Sequence, residues 1–113
     1  MNYELTEEQK KFKEQFRAFC EKEISPHAAR VDREGAFSRE NHRQLASQGF
    51  LGLPFPEKYG GSQKAFLTCA LAWEELARAC PSTYLSSGIG CFLPGMAFHL
   101  FGTEGQKERD LSS

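Results

Sequence analysis

Apolar residues recur at helical spacing along most of the chain, with charged residues between them. In the first 24 residues one face carries the apolar side chains Leu5, Phe12, Phe16 and Phe19. Thr6 followed by Gln9 is the pattern of a capping box, in which each side chain satisfies a free backbone N–H of the first turn. The spacing predicts an amphipathic helix over residues 1–24 whose apolar face needs a packing partner.

Serines, prolines and glycines predict where the next helices begin and end. Ser25 and Pro26 suit a helix start, since serine can cap and proline fits the first turn. The resulting short helix extends to about Arg33. Ser38 is the predicted cap of a third helix, which ends at Gly49 because glycine accepts the left-handed conformation that follows many helices.

The middle of the chain combines an irregular segment with a long helix. Two prolines and three glycines in residues 50–61 exclude a long regular element, but five large apolar side chains predict that this loop packs against the protein. From about Gln63 to Cys80, apolar residues cover a wide face without a glycine or proline. This pattern predicts the central helix of the fold.

The last third is predicted to contain two weaker helices and the start of another. Pro81 stops the central helix, and Ser82 is the expected cap of a helix over residues 82–90. Proline and glycine then introduce a short helix over residues 94–101. Thr103 and Gln106 form a second capping box. No strand-like alternation appears, so we expect a single all-α domain over residues 1–113, a compact bundle of six or seven helices.

Composition excludes several classes of protein. The chain has 113 residues, 40% hydrophobic and 26% charged, a net charge of −1 and a pI near 6.3. These values are typical of a globular domain and give no electrostatic attraction to nucleic acid or an anionic membrane. No apolar run approaches the roughly 20 residues that a membrane span needs, and no leader segment is visible. We therefore expect a cytoplasmic protein, or one from which a leader has already been removed, without a membrane span.

Candidate chemical groups do not form a recognisable catalytic or metal site. The four cysteines form no CxxC pair, which predicts free thiols in a reducing compartment. The three histidines lie far apart in sequence, without metal-ligand spacing. Gly60-Gly61 and the glycines at 88 and 90 match no phosphate-binding motif. The adjacent residues Glu74 and Glu75 point in different directions, so at least one carboxylate is expected to face solvent, and an inward, helix-anchoring or interface role stays open for the other.

The order of several short segments resembles the N-terminal domain of acyl-CoA dehydrogenases. Nearly the whole chain takes part, and the segments are specific as a set rather than singly. They are Leu5-Thr6-Glu7-Glu8-Gln9, Glu23-Ile24-Ser25-Pro26, Leu45 with Gly49-Phe50-Leu51-Gly52, Pro56-Glu57-Lys58-Tyr59-Gly60-Gly61, Glu74-Glu75-Leu76-Ala77-Arg78-Ala79 and Phe101-Gly102-Thr103-Glu104-Gly105-Gln106-Lys107.

The resemblance implies a flavoenzyme of which this chain is one part. Family members add a middle β-domain and a C-terminal helical domain, which this stretch of sequence does not include. The implied reaction removes a proton beside the thioester carbonyl of acyl-CoA and transfers a hydride to FAD, and electrons leave to an electron-transferring flavoprotein. A homo-oligomer is also implied. The catalytic base and most flavin contacts are expected outside this chain, so the segment alone should be inactive.

The resemblance also implies that the helix after the central one forms a wall of the acyl-chain pocket. Carried onto this sequence, with a possible offset of one residue, that wall is Tyr84, Leu85, Gly88 and Phe92. The same residues could instead be ordinary core. If Gly88 lines the pocket, its missing side chain leaves space for a long acyl tail, so Gly88→Leu should lower kcat/KM more for long than for short acyl chains.

Two other functions remain open from the sequence. A non-catalytic interaction module would use the same helical domain to bind a partner or itself, without flavin. An acyl-CoA oxidase, or a dehydrogenase acting on carrier-protein thioesters, would share the domain and differ elsewhere.

Overall fold

The computed structural model describes residues 4–111, and within this range every regular element is helical. The α-helical segments are α1 (Glu7–Phe19), α2 (Ala28–Glu34), α3 (Arg39–Ser47), α4 (Phe66–Ala79), α5 (Pro81–Thr83), α6 (Gly90–Phe101) and α7 (Glu104–Asp110). Short 3-10 or π turns occupy Cys20–Ile24, Ser25–His27, Phe50–Gly52, Glu57–Tyr59 and Tyr84–Ile89. The predicted all-α fold is confirmed.

Three of the five predicted capping residues cap a helix as expected. Thr6 and Thr103 each form a complete capping box, and Ser38 accepts a hydrogen bond from the backbone N–H of Asn41. The caps predicted at Ser25 and Ser82 are wrong. The helical backbone continues from α1 through Ser25, whose N–H donates to the Cys20 carbonyl, and the N–H of Ala28 already donates to the Ser25 carbonyl.

The N-cap of α5 is Cys80, directly before Pro81, and its side chain makes no capping hydrogen bond. Its backbone is extended, with φ −158° and ψ 97°. A residue before proline is disfavoured in the helical region because the proline ring clashes with it. The proline therefore determines both the end of α4 and the start of α5, and Ser82 lies inside the first turn.

The core lies between α1, α3 and α4. Phe16 of α1 stacks on Phe50 with ring centroids 5.2 Å apart. Ile24, Leu45 and Leu76 are fully buried beside them. This contact confirms that the apolar face of the first helix packs on the central helix and on the loop that follows α3.

The central helix begins three residues later than predicted, at Phe66. The N–H of Gln63 donates to the Phe55 carbonyl at 2.8 Å, and the N–H of Lys64 donates to the Leu53 carbonyl at 2.7 Å. These bonds hold residues 63 and 64 in the packed loop, as does the left-handed backbone of Gln63 at φ 51°. Gln63 and Lys64, which were predicted to begin the helix, are therefore the end of the loop.

The two helices predicted over residues 82–90 and 94–101 are one helical run of 21 residues, Pro81–Phe101. Pro94 lies inside α6, where it cannot donate to the carbonyl of Gly90. Gly90 is exposed, so water can satisfy that carbonyl. Proline therefore does not interrupt the run.

This run also corrects the expectation that no apolar stretch reaches the length of a membrane span. By length and mean hydropathy of 1.2 it is sufficient to cross a bilayer. Only 17% of its most apolar 18-residue window is buried in the domain. The long helix therefore presents a largely open apolar surface.

Candidate functional site

The helical run Pro81–Phe101 carries the strongest candidate surface of the domain. Residues 81–103 contain no Asp, Glu, Lys or Arg. Leu85, Leu93 and Leu100 are each more than 60% exposed, and Phe101 is 86% exposed. Such contiguous exposed apolar side chains are typical of a surface that another molecule or domain covers.

The four predicted wall residues do not share one face of this run. Gly88 is buried, and a Cβ built there would lie 3.2 Å from Tyr84 Cδ2 and 3.8 Å from Leu76 Cδ2. Phe92 is half-buried against Trp73, with ring centroids 4.7 Å apart. Gly88 and Phe92 therefore pack toward α4, with Tyr84 beside them, whereas Leu85 is 65% exposed.

Ile89 and Leu93 extend the exposed surface from Leu85, although sequence reasoning did not select them. The three positions are four residues apart, the spacing of neighbours on one helix face. Ile89 is half-buried and Leu93 is 61% exposed. The π turn Tyr84–Ile89 contains more residues than a turn of α-helix. Sequence spacing alone therefore does not show which side chains point outward. The i, i+4, i+8 repeat of large aliphatic residues marks these positions as neighbours, but it does not show which side of the run is open.

A buried polar cluster holds the start of the run against α3. Asn41 Nδ2 donates to Thr83 Oγ1 at 3.0 Å, and Thr83 Oγ1 lies 3.2 Å from Cys80 Sγ. His42 Nδ1 and Ser87 Oγ share a hydrogen bond of 2.9 Å. Since buried polar groups are costly unless paired, these bonds fix the rotation of the run and hence the direction of its exposed face.

An open cleft lies behind the run and not on its exposed face. It has a volume of about 470 Å³ and is lined by α3, the loop over residues 49–61, α6 and the end of α7. None of the four predicted wall residues lines it. Its six glycines include Gly61 and Gly95, where a Cβ would collide with Phe55. The loop and α6 thus approach closely because side chains are missing at these positions.

Two segments that carry the family resemblance meet at this cleft. Tyr59 donates its hydroxyl to Glu104 Oε2 at 2.6 Å, and Lys58 Nζ lies 3.2 Å from the same oxygen. The hydrogen bond from Tyr59, followed by the bond and charge of Lys58, holds the pKa of Glu104 below its ordinary value. The same contacts raise the pKa of Tyr59 and of Lys58. They attach the N-terminus of α7 to the loop.

Glu75 forms the buried centre of a charged cluster between α1 and α4. Its side chain is 4% exposed, whereas that of Glu74 is 67% exposed, which confirms that one of the two carboxylates faces solvent. Arg17 Nε lies 3.4 Å from Glu75 Oε2, Arg78 Nε lies 3.6 Å away, and Lys13 Nζ lies 3.8 Å from Oε1. Three cations from two helices therefore surround one carboxylate.

The thiols are free, and burial makes them unreactive. Cys20, Cys69 and Cys80 are buried, and Cys91 is half-buried. Burial, with the nearby charge of Glu75, raises the pKa of Cys20 to about 12. Burial raises the pKa of Cys69 to about 11 and also raises that of Cys91. None of these groups is prepared for nucleophilic chemistry, which requires a thiolate.

The chemical feature that this arrangement offers is an apolar contact surface. Among residues 4–111, no group of three or more His, Cys, Asp or Glu side chains could hold a metal ion. The uncharged run can contact the apolar part of a ligand. It carries none of the charged side chains that commonly hold phosphates.

Comparisons with known proteins agree with this description. The sequence profile of the family "Acyl-CoA dehydrogenase, N-terminal domain" matches residues 6–113. "Probable acyl-CoA dehydrogenase YngJ" of Bacillus subtilis (strain 168) is 43% identical over 112 residues, which are 99% of this chain and 30% of that protein. The short-chain specific acyl-CoA dehydrogenase of Clostridium acetobutylicum is 33% identical, over 98% of this chain and 29% of that protein.

Solved structures show the same fold. Butyryl-CoA dehydrogenase from Megasphaera elsdenii superposes with a TM-score of 0.87 at 34% identity, over 99% of this chain and 30% of that one. A chain in a structure of the electron transferring flavoprotein of Acidaminococcus fermentans gives a TM-score of 0.89 at 32% identity, with the same two coverages. The chain thus spans about a third of the length of its relatives.

Proposed function

Because this chain belongs to the acyl-CoA dehydrogenase family, as its N-terminal helical domain, we propose that it supplies one wall of the acyl-chain pocket in a flavin-dependent acyl-CoA dehydrogenase. The complete protein is proposed to act on acyl-CoA thioesters and to be a homo-oligomer. The names of similar proteins, among them the short-chain dehydrogenase of Clostridium acetobutylicum, support this substrate class.

One observation carries the proposal: a long uncharged helix exposes aliphatic side chains on one face. Leu85, Ile89 and Leu93 offer a hydrocarbon surface without a charged group, which suits an acyl chain and excludes water from it. The polar bonds of Asn41 and His42 hold this helix in a fixed rotation. We therefore place Leu85, with Ile89 and Leu93, in the wall, and assign Tyr84, Gly88 and Phe92 to the packing behind it.

The proposed role of the domain is to orient the acyl chain against an apolar surface. No catalytic group is assigned to it. FAD, when bound in the complete enzyme, supplies the acceptor for the hydride that leaves the acyl chain. The residues described here do not account for its phosphates, so the remainder of the polypeptide is proposed to hold them. An electron-transferring flavoprotein is the proposed electron acceptor, and the structural similarity to a chain from the Acidaminococcus assembly supports it.

The test uses Ile89→Trp in the complete enzyme. A larger ring on the exposed face should shorten the pocket, so kcat/KM should fall about tenfold or more for long acyl-CoA and much less for short acyl-CoA. Gln15→Trp on the exposed side of α1 is the matched control and should leave both values unchanged. An equal fall for both chain lengths would contradict the wall assignment.

A non-catalytic interaction module is the second candidate, and the exposure of Leu100 and Phe101 favours it. The two functions differ in mass and colour. A native protein several times heavier than 12.7 kDa, with visible flavin absorbance, supports the enzyme. A colourless protein near that mass supports the module. Oxidase activity is distinguished by peroxide formation when the reduced enzyme meets oxygen.

The proposed compartment is the cytoplasm. The four free cysteines support it, since thiols persist in reducing compartments. Fractionation of the source cells, followed by detection of the full-length protein in the soluble fraction, is the corresponding measurement.

A further inference from the structure

The first turn of α3 contacts the helical run at two points that lie one helical turn apart. Asn41 Nδ2 donates to Thr83 Oγ1 at 3.0 Å. His42 Nδ1 shares a hydrogen bond of 2.9 Å with Ser87 Oγ. Thr83 and Ser87 are four residues apart and both are buried, so they lie on the inner face of the run. Two adjacent side chains of α3 therefore hold this inner face, and not the exposed face that carries Leu85.

Local interactions at the start of α3 orient the ring of His42. Ser38 is the N-cap and accepts a hydrogen bond from the backbone N–H of Asn41 at 3.2 Å. Phe37, the residue before the cap, lies against His42, the fourth residue after it, with ring centroids 5.3 Å apart. This is the arrangement of a hydrophobic staple, which fixes the direction in which the chain enters a helix. The position of His42 is therefore set by α3 itself, and not only by its contact with the run.

The partner of His42 lies inside the π turn Tyr84–Ile89. In this turn the N–H of Gly90 donates to the carbonyl of Leu85, five residues earlier, whereas a regular α-helix joins residues four apart. Such turns are rare, and they occur frequently at functional sites. The hydrogen bond between His42 and Ser87 holds this turn from outside the run.

The π turn determines how the two ends of the exposed face are aligned. Conversion of the turn to regular α-helix would shift the bonding by one residue and rotate the following part of the run by about 100°, the angle between successive α-helical residues. Leu85 lies near the start of the turn, Ile89 at its end and Leu93 beyond it. The conversion would therefore turn Ile89 and Leu93 relative to Leu85, and the aliphatic surface would no longer be continuous.

We propose that His42 is a positioning residue for the acyl chain. Through its hydrogen bond to Ser87 it keeps the π turn in place, and the π turn keeps Leu85, Ile89 and Leu93 on one surface. His42 lines the cleft behind the run, so it acts without touching the acyl chain. This inference rests on the proposed wall of the acyl-chain pocket, and it adds a residue of α3 to the groups that determine chain-length selectivity.

The first test is Ser87→Ala in the complete enzyme, which removes one oxygen atom from the interior. A long acyl chain contacts more of the wall beyond the turn than a short one does. We therefore expect kcat/KM to fall about two- to tenfold for long acyl-CoA, the range that corresponds to the loss of one hydrogen bond, and to stay close to wild type for short acyl-CoA. The amide of Gly90, which closes the π turn, should exchange its hydrogen faster in the variant.

Two changes at His42 separate positioning from packing. His42→Asn places a side-chain amide near the position of Nδ1 and should retain the wild-type ratio of kcat/KM for long to short acyl-CoA. His42→Leu keeps an apolar contact with Phe37 but has no hydrogen-bonding group, so it should lower the ratio as Ser87→Ala does. Since both variants remove the same bond, combining them should lower the ratio no further than either alone. Arg43→Ala, at the exposed neighbouring position, is the control and should leave the ratio unchanged.

The proposal is overturned if folded Ser87→Ala and His42→Leu lower kcat/KM equally for both chain lengths while Ile89→Trp still discriminates between them. If Ile89→Trp does not discriminate either, the failure belongs to the wall, and the exchange of the Gly90 amide decides the role of His42. Unchanged exchange in both variants would then show that His42 does not hold the π turn, and faster exchange would support that it does. Ser87→Ala alone decides if His42→Leu does not fold.

Discussion

Gly88 lies where the helical run crosses α4, and the ring of Tyr84 occupies the space that a side chain would need. A Cβ at 3.2 Å from Tyr84 Cδ2 is already tight, and the rest of a leucine would meet Leu76. We predict that Gly88→Leu destabilises the domain by about 1–3 kcal/mol through overpacking. Thermal unfolding of the complete enzyme would measure the change.

Kinetics of the same variant distinguish packing from a pocket position. If Gly88 is a packing position, the variant should have a lower melting temperature, and kcat/KM should fall to a similar extent for long and short acyl-CoA. An unchanged melting temperature, with kcat/KM lowered mainly for long chains, would place Gly88 in the pocket as the sequence resemblance implies. Gly105→Leu, at an exposed position without neighbours within 4 Å of a built Cβ, is a suitable control.

Glu74 and Glu75 are adjacent residues that should differ sharply in their effect on stability. Glu75→Ala removes the buried centre of the charged cluster, and we expect a loss of about 1–3 kcal/mol. The value is moderate because Arg17 and Arg78 are about half exposed and can regain water. Glu74→Ala should change the free energy of unfolding by no more than about 0.5 kcal/mol. Chemical denaturation measures both, and equal effects would contradict the inward role of Glu75.

At the scale of elements, the contact between the loop and α7 should depend on pH. The folded pKa of Glu104 lies below its ordinary value, so the contact stabilises the fold above that ordinary pKa. The stabilisation is lost as pH falls through the lower, folded pKa. On the alkaline side, the raised pKa of Tyr59 means that its proton is held until a higher pH than usual.

Tyr59→Phe is the test of this contact. Loss of the hydroxyl donor should raise the pKa of Glu104 toward its ordinary value, which titration of the carboxyl carbon by NMR would show. Tyr84→Phe is the control, because the Tyr84 ring lies beside Gly88 and packs against the hydrophobic core. A Glu104 pKa that stays low in Tyr59→Phe would assign the effect to Lys58 instead.

Most helices could be predicted from sequence because their signals are local. The capping boxes at Thr6 and Thr103 and the glycine at 49 involve residues three or four positions apart, so spacing alone reveals them. The start of α4 could not be predicted, since Gln63 and Lys64 bond to Phe55 and Leu53 in the loop. Such tertiary bonds override helical propensity.

The sequence predicted that the candidate site lies on a helix, but it did not predict which side chains of that helix are exposed. Spacing selects the region of residues 84–92, yet the π turn and the packing of Gly88 on Tyr84 determine which side chains point outward. The cap at Ser82 was predicted wrongly because Pro81 keeps Cys80 extended, so the helix begins at Pro81. The break at Pro94 was predicted wrongly because the exposed Gly90 carbonyl, which loses its partner within the helix, can bond to water instead.

At the scale of the whole molecule, the open face of the helical run should cause the separate domain to associate. Leu93, Leu100 and Phe101 expose more than 60% of their surface without a neighbouring charge on the run. We predict that residues 1–113 alone form dimers or larger species, and that Leu93→Lys with Leu100→Lys shifts them toward monomer. Analytical ultracentrifugation would follow the change, and a wild-type monomer at high concentration would contradict it.

Chemical modification of the buried thiols can report how often the domain opens locally. Cys20 lies beneath the contact between α1 and α4, and its pKa near 12 keeps it protonated at neutral pH. A thiol reagent can therefore modify it only during the brief periods when the two helices separate. The rate of modification, compared with that of the more accessible Cys91, would measure how often the first helix leaves the central one.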